Sequence, residues 1–133
     1  MLVLKNSIQW IMLVSGLITA TMFYGLLAPE AALLSFFGET TVLGDEPLPL
    51  LVVRSWSGLV GLMGVVLIVG FFRPLLREFA LILASLSKLI FVTLVFLFGK
   101  AYLENLAFAL AMDIVVILAA CVYFCLPDQR TEY

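Results

Sequence analysis

The chain contains four apolar runs, and each is about as long as a membrane-spanning helix. The runs cover about residues 8–27, 50–72, 75–98 and 106–126. Roughly 20 apolar residues in a helix cross a hydrocarbon layer about 30 Å thick. Because 65% of all residues are hydrophobic, little of the chain remains for a water-soluble domain. The sequence therefore predicts a single transmembrane domain over residues 1–133, in contact with a lipid bilayer.

The connections between the runs indicate how the spans are arranged. The second and third runs are joined around Arg73-Pro74, and the third and fourth by the short polar turn from Gly99 to Glu104. Short connections make consecutive helices antiparallel neighbours. We expect an all-α fold, an integral membrane four-helix bundle with antiparallel neighbours.

A short amphipathic surface helix is expected between the first and second spans. Pro29 can open a helix at its first position, and Gly38 can close it. Leu33, Leu34 and Phe37 would share one side of this helix, which would lie on the membrane surface or dip into it. The alternative is an irregular loop. Residues 39–49 and 128–133 are polar and predict an aqueous loop and a short tail.

Two charges stand near the middle of the third and fourth runs, at Lys88 and Asp113. If the turn is centred between Lys100 and Ala101, both lie the same number of residues from it, about 18 Å away. An isolated charge at that depth costs at least about 2.5–3.5 kcal/mol. We therefore predict an intramembrane ion pair, with Ser85 one turn away as a hydrogen-bonding neighbour. The pair could be a lock between two helices or part of a transport or proton path.

Glycines line one side of the second span at Gly58, Gly61 and Gly64. Missing side chains let a neighbouring backbone come close. This face could serve packing within the bundle, dimerisation, or a lipid or quinone groove with Arg54 and Trp56 at its mouth. Arg54 could also snorkel to the interface or pair with an acid such as Glu30, Glu39 or Glu104. The first span carries a second small-residue patch, at Ser15, Gly16, Thr19 and Ala20.

Several functional classes are disfavoured by the composition. The chain has no histidine, so no metal site, haem or nucleophile–histidine pair is expected, and no cofactor beyond a possible lipid or quinone. Cys121 and Cys125 lack the C-x-x-C spacing of a thiol oxidoreductase and are expected to be small packing residues. The net charge of −2, without a basic stripe, speaks against nucleic acid as a partner. We expect a protein that is not an enzyme.

Basic residues indicate the orientation. Lys5, Arg73, Arg77 and Arg130 lie on the side that holds both termini, against Arg54 and Lys100 on the other side. The positive-inside rule then places both termini in the cytoplasm. The first run is longer than the apolar core of a signal peptide and has no small-residue cleavage site after it, so we expect it to be retained.

Three short motifs accompany the four-span layout: Gly25-Leu26-Leu27-Ala28-Pro29-Glu30 after the first span, Phe36-Phe37-Gly38 at the end of the surface segment, and Arg54 leading into the glycines of the second span. With these motifs the chain resembles the small DoxX-like membrane proteins. The resemblance implies a bacterial cytoplasmic-membrane protein, often an accessory to a redox or other membrane complex, and it transfers no catalytic residues.

These observations predict a non-catalytic accessory or stabilising subunit of a larger membrane complex. Its partner, another membrane protein or a second copy of the chain, would contact the glycine face of the second span or the small-residue patch of the first. The alternative is a small transporter or ion-conducting protein that uses Lys88 and Asp113.

Overall fold

The computed structural model of the chain describes residues 2–38 and 47–126, whose backbone is almost entirely helical. In chain order the helices are α1 (Leu2–Ala20), α2 (Tyr24–Leu27), α3 (Pro29–Phe37), α4 (Pro47–Phe72), α5 (Pro74–Phe98) and α6 (Leu103–Cys125), with 3₁₀ turns at Thr21–Phe23 and Lys100–Tyr102. Residues 39–46 of the predicted aqueous loop, the predicted tail at residues 128–133, and Arg130 lie outside the described residues.

Four segments are long and apolar enough to cross a membrane: Val3–Leu27, Pro47–Phe72, Pro74–Phe98 and Lys100–Cys125. They pack against one another as a bundle. The predicted fold class, an all-α integral membrane four-helix bundle with antiparallel neighbours, is confirmed. The chain is a multi-pass membrane protein that contacts lipid.

An even number of spans brings Val3 and Cys125 to the same side of the bilayer, called the terminal side below. The 3₁₀ turn Lys100–Tyr102 and α3 lie on the opposite side, called the distal side. The long helices form a ring in which α1 packs on α4, α4 on α5, α5 on α6, and α6 on α1.

The bundle has two apolar cores. The terminal core draws on all four long helices and consists of Ile8, Met12, Leu67, Ala80, Leu81, Ala84, Ala119, Ala120 and Tyr123. The distal core consists of Val95, Leu106 and Leu110, with Phe37, Phe91, Val92, Tyr102 and Leu103 packed against it. Helices α1 and α4 contribute to the terminal core but not to the distal one, so the two ends of the bundle are built differently.

The backbones of α1 and α4 meet at Gly16 and Gly64. A Cβ atom placed on Gly64 would lie 2.6 Å from the Gly16 carbonyl oxygen and would also strike the backbone of Ala20. A Cβ atom on Gly16 would lie 2.9 Å from the Gly64 carbonyl oxygen. Only glycine fits at Gly64, because backbone atoms cannot move aside as a side chain can.

A single residue, Arg73, joins α4 to α5, and Arg77 closes the end of α4. The last carbonyl groups of a helix have no partner within the helix. The Arg77 side chain donates hydrogen bonds from Nε to the Gly70 carbonyl at 3.2 Å and from Nη2 to the Phe71 carbonyl at 3.1 Å. Pro74, which needs no hydrogen-bond partner for its nitrogen, opens α5 at once.

The short helix predicted between the first and second spans is α3. Pro29 stands in its first turn, and Gly38, with φ of +70°, caps it in the left-handed conformation. Of the predicted side, Leu33 and Phe37 are half-buried, whereas Leu34 is 57% exposed. Ala32 is fully buried because it packs against α2, where its Cβ lies 3.2 Å from the place that a Cβ on Gly25 would take. The Asn105 side chain of α6 donates a hydrogen bond to the Phe37 carbonyl at 3.1 Å.

The prediction that Cys121 and Cys125 are packing residues is wrong. Both thiols are free and exposed on α6. The packed side of this half of α6 runs through Val116, Ala119 and Tyr123. The two cysteines therefore lie on the side that faces lipid.

Candidate functional site

The ion pair predicted between α5 and α6 is present. Lys88 Nζ donates a hydrogen bond to Asp113 Oδ1 at 2.6 Å. The Lys88 side chain is 9% exposed and the Asp113 side chain 12% exposed. The two charges therefore neutralise each other inside the bundle, which is how a charged side chain is tolerated at this depth.

The turn between α5 and α6 sets the register of the pair. The Gly99 amide donates to the Val95 carbonyl at 2.8 Å, and the Tyr102 amide donates to the Gly99 carbonyl at 3.0 Å. So tight a turn leaves the helices adjacent, and residues equally far from it lie at equal depth. At about 1.5 Å per residue, Lys88 and Asp113 lie about 18 Å from the turn, near the middle of the bilayer.

Ser85 does not join the pair. Its hydroxyl oxygen is buried and has no hydrogen-bond partner in the described part of the chain. Ser85 precedes Lys88 by three residues on α5, about 60° away around the helix axis. The lysine side chain extends to α6 and the serine hydroxyl does not reach it, so the predicted hydrogen-bonding neighbour is absent and the pair consists of Lys88 and Asp113.

A proton relay needs a series of titratable groups, and the described residues do not provide one at this depth. Their other charged residues, such as Glu30, Arg54 and Glu104, lie near the ends of the helices. No cluster of three or more histidine, cysteine or acidic residues that could hold a metal ion occurs in residues 2–38 and 47–126. In chemical terms the pair can fix one helix against another.

The predicted glycine groove of the second span is filled by the chain itself. Cβ atoms placed on the three glycines would meet the first span and its continuation: Leu26 from Gly58, the Phe23 ring from Gly61, and the backbone of Ala20 from Gly64. Packing within the bundle uses this face. A lipid or quinone has no room at these positions.

Trp56 and Arg54 of α4 lie in different surroundings. Trp56 is half-buried, and its ring centroid lies 5.9 Å from that of Phe37 on α3. Phe37 in turn meets Tyr102 edge to face at 5.3 Å. Arg54 is exposed and has no ion-pair partner among the described residues, which fits a side chain that snorkels to the interface. The two residues differ in burial, and their role as the mouth of a groove stays a prediction.

Two positioning residues were missed from the sequence. Arg77 stands shortly after the end of a span, where basic side chains commonly bind helix carbonyls, so a signal for its role existed. Asn105 had no such signal, because its partner, the Phe37 carbonyl, is distant in the sequence.

A comparison of this chain with protein-family models, with curated proteins and with solved structures finds no match. The resemblance to DoxX-like proteins stays a prediction.

Proposed function

We propose that this multi-pass membrane protein is a non-catalytic accessory subunit that stabilises a larger membrane complex. In this role the Lys88–Asp113 pair is a lock that selects which face of α5 meets α6. The single observation that carries the proposal is the geometry of the pair, in which a lysine and an aspartate at one depth use each other as partners. Because each charge has the other as its partner, the pair favours a structural role over a catalytic or transport role.

The contacts of the glycines change where a partner would bind. Gly58, Gly61 and Gly64 contact α1 and its continuation, and Gly16 contacts α4. Both predicted partner surfaces are thus used inside the bundle. A partner would have to contact the outer apolar faces, such as the side of α5 that carries Ile82, Leu86 and Ile90, each more than half exposed.

The location follows from charge and resemblance. Lys5, Arg73 and Arg77 belong to the terminal side, whereas Arg54 and Lys100 belong to the distal side. We infer that both termini are cytoplasmic, as the positive-inside rule requires, and that the membrane is the bacterial cytoplasmic membrane, as the DoxX-like resemblance implies.

Purification from native membranes in a mild detergent tests the accessory role. We expect a defined membrane protein to co-purify in a fixed ratio, and its abundance to fall when the gene for this chain is deleted. A double variant, Lys88→Met with Asp113→Leu, should keep that partner, because the lock is replaced by apolar packing. A chain that runs alone as a folded monomer, with no other membrane protein depleted by the deletion, would refute the proposal.

The second candidate is a small transporter or ion-conducting protein, and the slight exposure of the pair favours it. Reconstitution into vesicles and measurement of ion or proton flux tests this function. Flux that is present in the wild type and abolished in the same double variant, while its thermal stability is kept, would replace the accessory role with transport.

A further inference from the structure

We propose that Cys121 and Cys125 form a two-thiolate site for a soft monovalent metal ion, Cu(I), at the terminal end of α6. The site lies apart from the Lys88–Asp113 pair, and it does not depend on the accessory role. No metal site was expected from the sequence, because the chain has no histidine. A site made of two thiolates needs none.

The two thiols are neighbours on one side of α6. Residues four apart in a helix have Cβ atoms about 5–6 Å from each other. Both cysteines are free and exposed. Leu118, three residues before Cys121, is 59% exposed, whereas Ala120 and Tyr123 of the terminal core are at most 9% exposed. The two thiols therefore share the outer side of the helix with Leu118.

The spacing of the two cysteines suits a bridging metal ion better than a disulfide. A disulfide holds its Cβ atoms about 3.5–4.5 Å apart, which is closer than successive turns of a helix place them. A metal ion between two sulfur atoms adds two bonds of about 2.3 Å each, the length of a zinc–thiolate bond. The two side chains can therefore meet at one ion while α6 stays regular, whereas a direct S–S bond would distort the helix.

The number of ligands selects the metal. Thiolates are soft ligands, which bind Cu(I), Zn²⁺ and iron–sulfur clusters. An iron–sulfur cluster takes four cysteines, and the chain has two. Zn²⁺ takes at least three protein ligands, and residues 2–38 and 47–126 contain no group of three or more histidine, cysteine or acidic side chains that could hold it. Cu(I) is satisfied by two thiolates in a linear arrangement.

The site can be reached from water on the terminal side. Cys125 is the last residue of α6 and of the fourth candidate span. Cys121 lies about 6 Å deeper, at a rise of about 1.5 Å per residue. Thiols dissolved in water can thus deliver Cu(I) without crossing the bilayer. Binding moves no electrons: two S–H bonds break, two S–Cu bonds form, two protons pass to water, and copper stays Cu(I).

Competition for Cu(I) with the chromogenic chelator bicinchoninate tests the proposal. The whole chain is used in detergent, without oxygen and with a reductant that keeps the copper as Cu(I). Loss of the coloured chelator complex measures both stoichiometry and affinity. We expect the wild type to withdraw one ion per chain, with an affinity that falls as the pH is lowered, because binding releases protons.

Substitution of either cysteine should remove most of the affinity. Cys121→Ser and Cys125→Ser, each alone, should weaken binding by about 100-fold or more, since even residues that only support a metal ligand are worth about 10–100-fold. Both side chains are exposed, so we expect these variants to keep the wild-type profile in size exclusion.

A matched control keeps two thiols and changes only their spacing. It combines Val122→Cys with Cys125→Ser. Val122 is 42% exposed, so the new thiol is also accessible. Consecutive residues lie about 100° apart around the helix axis, and their side chains do not face each other. This variant should bind Cu(I) no better than Cys125→Ser alone.

Four results would overturn the proposal. The first is no withdrawal of Cu(I) from bicinchoninate by the wild type. The second is wild-type affinity in the respaced control, which would show that the thiols bind the metal wherever they stand. The third is one ion per two chains, which would place the metal between copies. The fourth is cysteine-dependent binding of Zn²⁺ as tight as that of Cu(I), which would require further ligands.

Discussion

The terminal and distal halves of the bundle are packed by different structural elements. In the terminal half four long helices converge, and small residues such as Ala80, Ala84 and Ala120 allow them to do so. In the distal half the first span leaves α6, and α3 with its aromatic neighbours, Trp56 and Tyr102, covers that end. The ion pair lies where one arrangement gives way to the other. The difference shows that a single pair of charges can stand at the border between two cores that are built from different helices.

The largest expected effect comes from breaking the pair at that border. Lys88→Met alone or Asp113→Leu alone leaves one charge buried without a partner, at a cost of about 3–5 kcal/mol. The double variant should be close to the wild type, because apolar side chains of similar volume refill the space. Thermal unfolding in detergent, with each single variant beside the double, measures the coupling. Harmless single changes whose effects simply add would show that the two residues do not interact.

The next largest loss of stability is expected at the contact between the first span and α4. Gly64→Ala drives a Cβ atom into the backbone of Gly16 and Ala20, and overpacking of this kind costs about 1–3 kcal/mol.

Gly58→Ala is the matched control for Gly64→Ala. The new Cβ would meet a Leu26 methyl group at 3.2 Å, and that side chain can rotate away. Its unfolding temperature should stay near that of the wild type. Equal losses in the two variants would mean that the crossing of α1 and α4 is not as close as the structure has it.

A smaller effect is expected at the distal end. Asn105→Ala removes the hydrogen bond to the Phe37 carbonyl, which is worth about 0.5–1.5 kcal/mol. Backbone amides of α3 should exchange with deuterium faster, while those of the terminal half keep their protection. Asn6→Ala, at an exposed position of α1, serves as the control. Faster exchange throughout the bundle would show that the two halves unfold as one unit.

The smallest effect is expected at Ser85. Its hydroxyl is buried without a hydrogen-bond partner in the described residues, so Ser85→Ala removes an unsatisfied polar group and should not lower the free energy of unfolding. Combining it with Lys88→Met should give the loss of Lys88→Met alone. A loss above about 1 kcal/mol would indicate that the hydroxyl supports the ion pair after all.

Helix geometry explains why the ion pair was predictable and Ser85 was misjudged. A short turn and a regular rise per residue place Lys88 and Asp113 at one depth, whatever else the bundle does. Whether a neighbouring hydroxyl reaches the pair depends on the direction of one side chain, and the spacing of residues does not set that direction.

The sequence by itself determined the four spans, their antiparallel order and the depth of the two charges. Each follows from the length of apolar runs, the shortness of turns and the cost of an unpaired charge in hydrocarbon. The tertiary structure alone decided that the glycines of α4 receive the first span, that Asn105 binds the end of α3, and that the two apolar cores are built from different helices. A glycine face admits any close neighbour, and a lipid-facing side chain is as apolar as a packed one. In a membrane, composition therefore does not determine which helix faces pack together. The fit of backbones and side chains determines it.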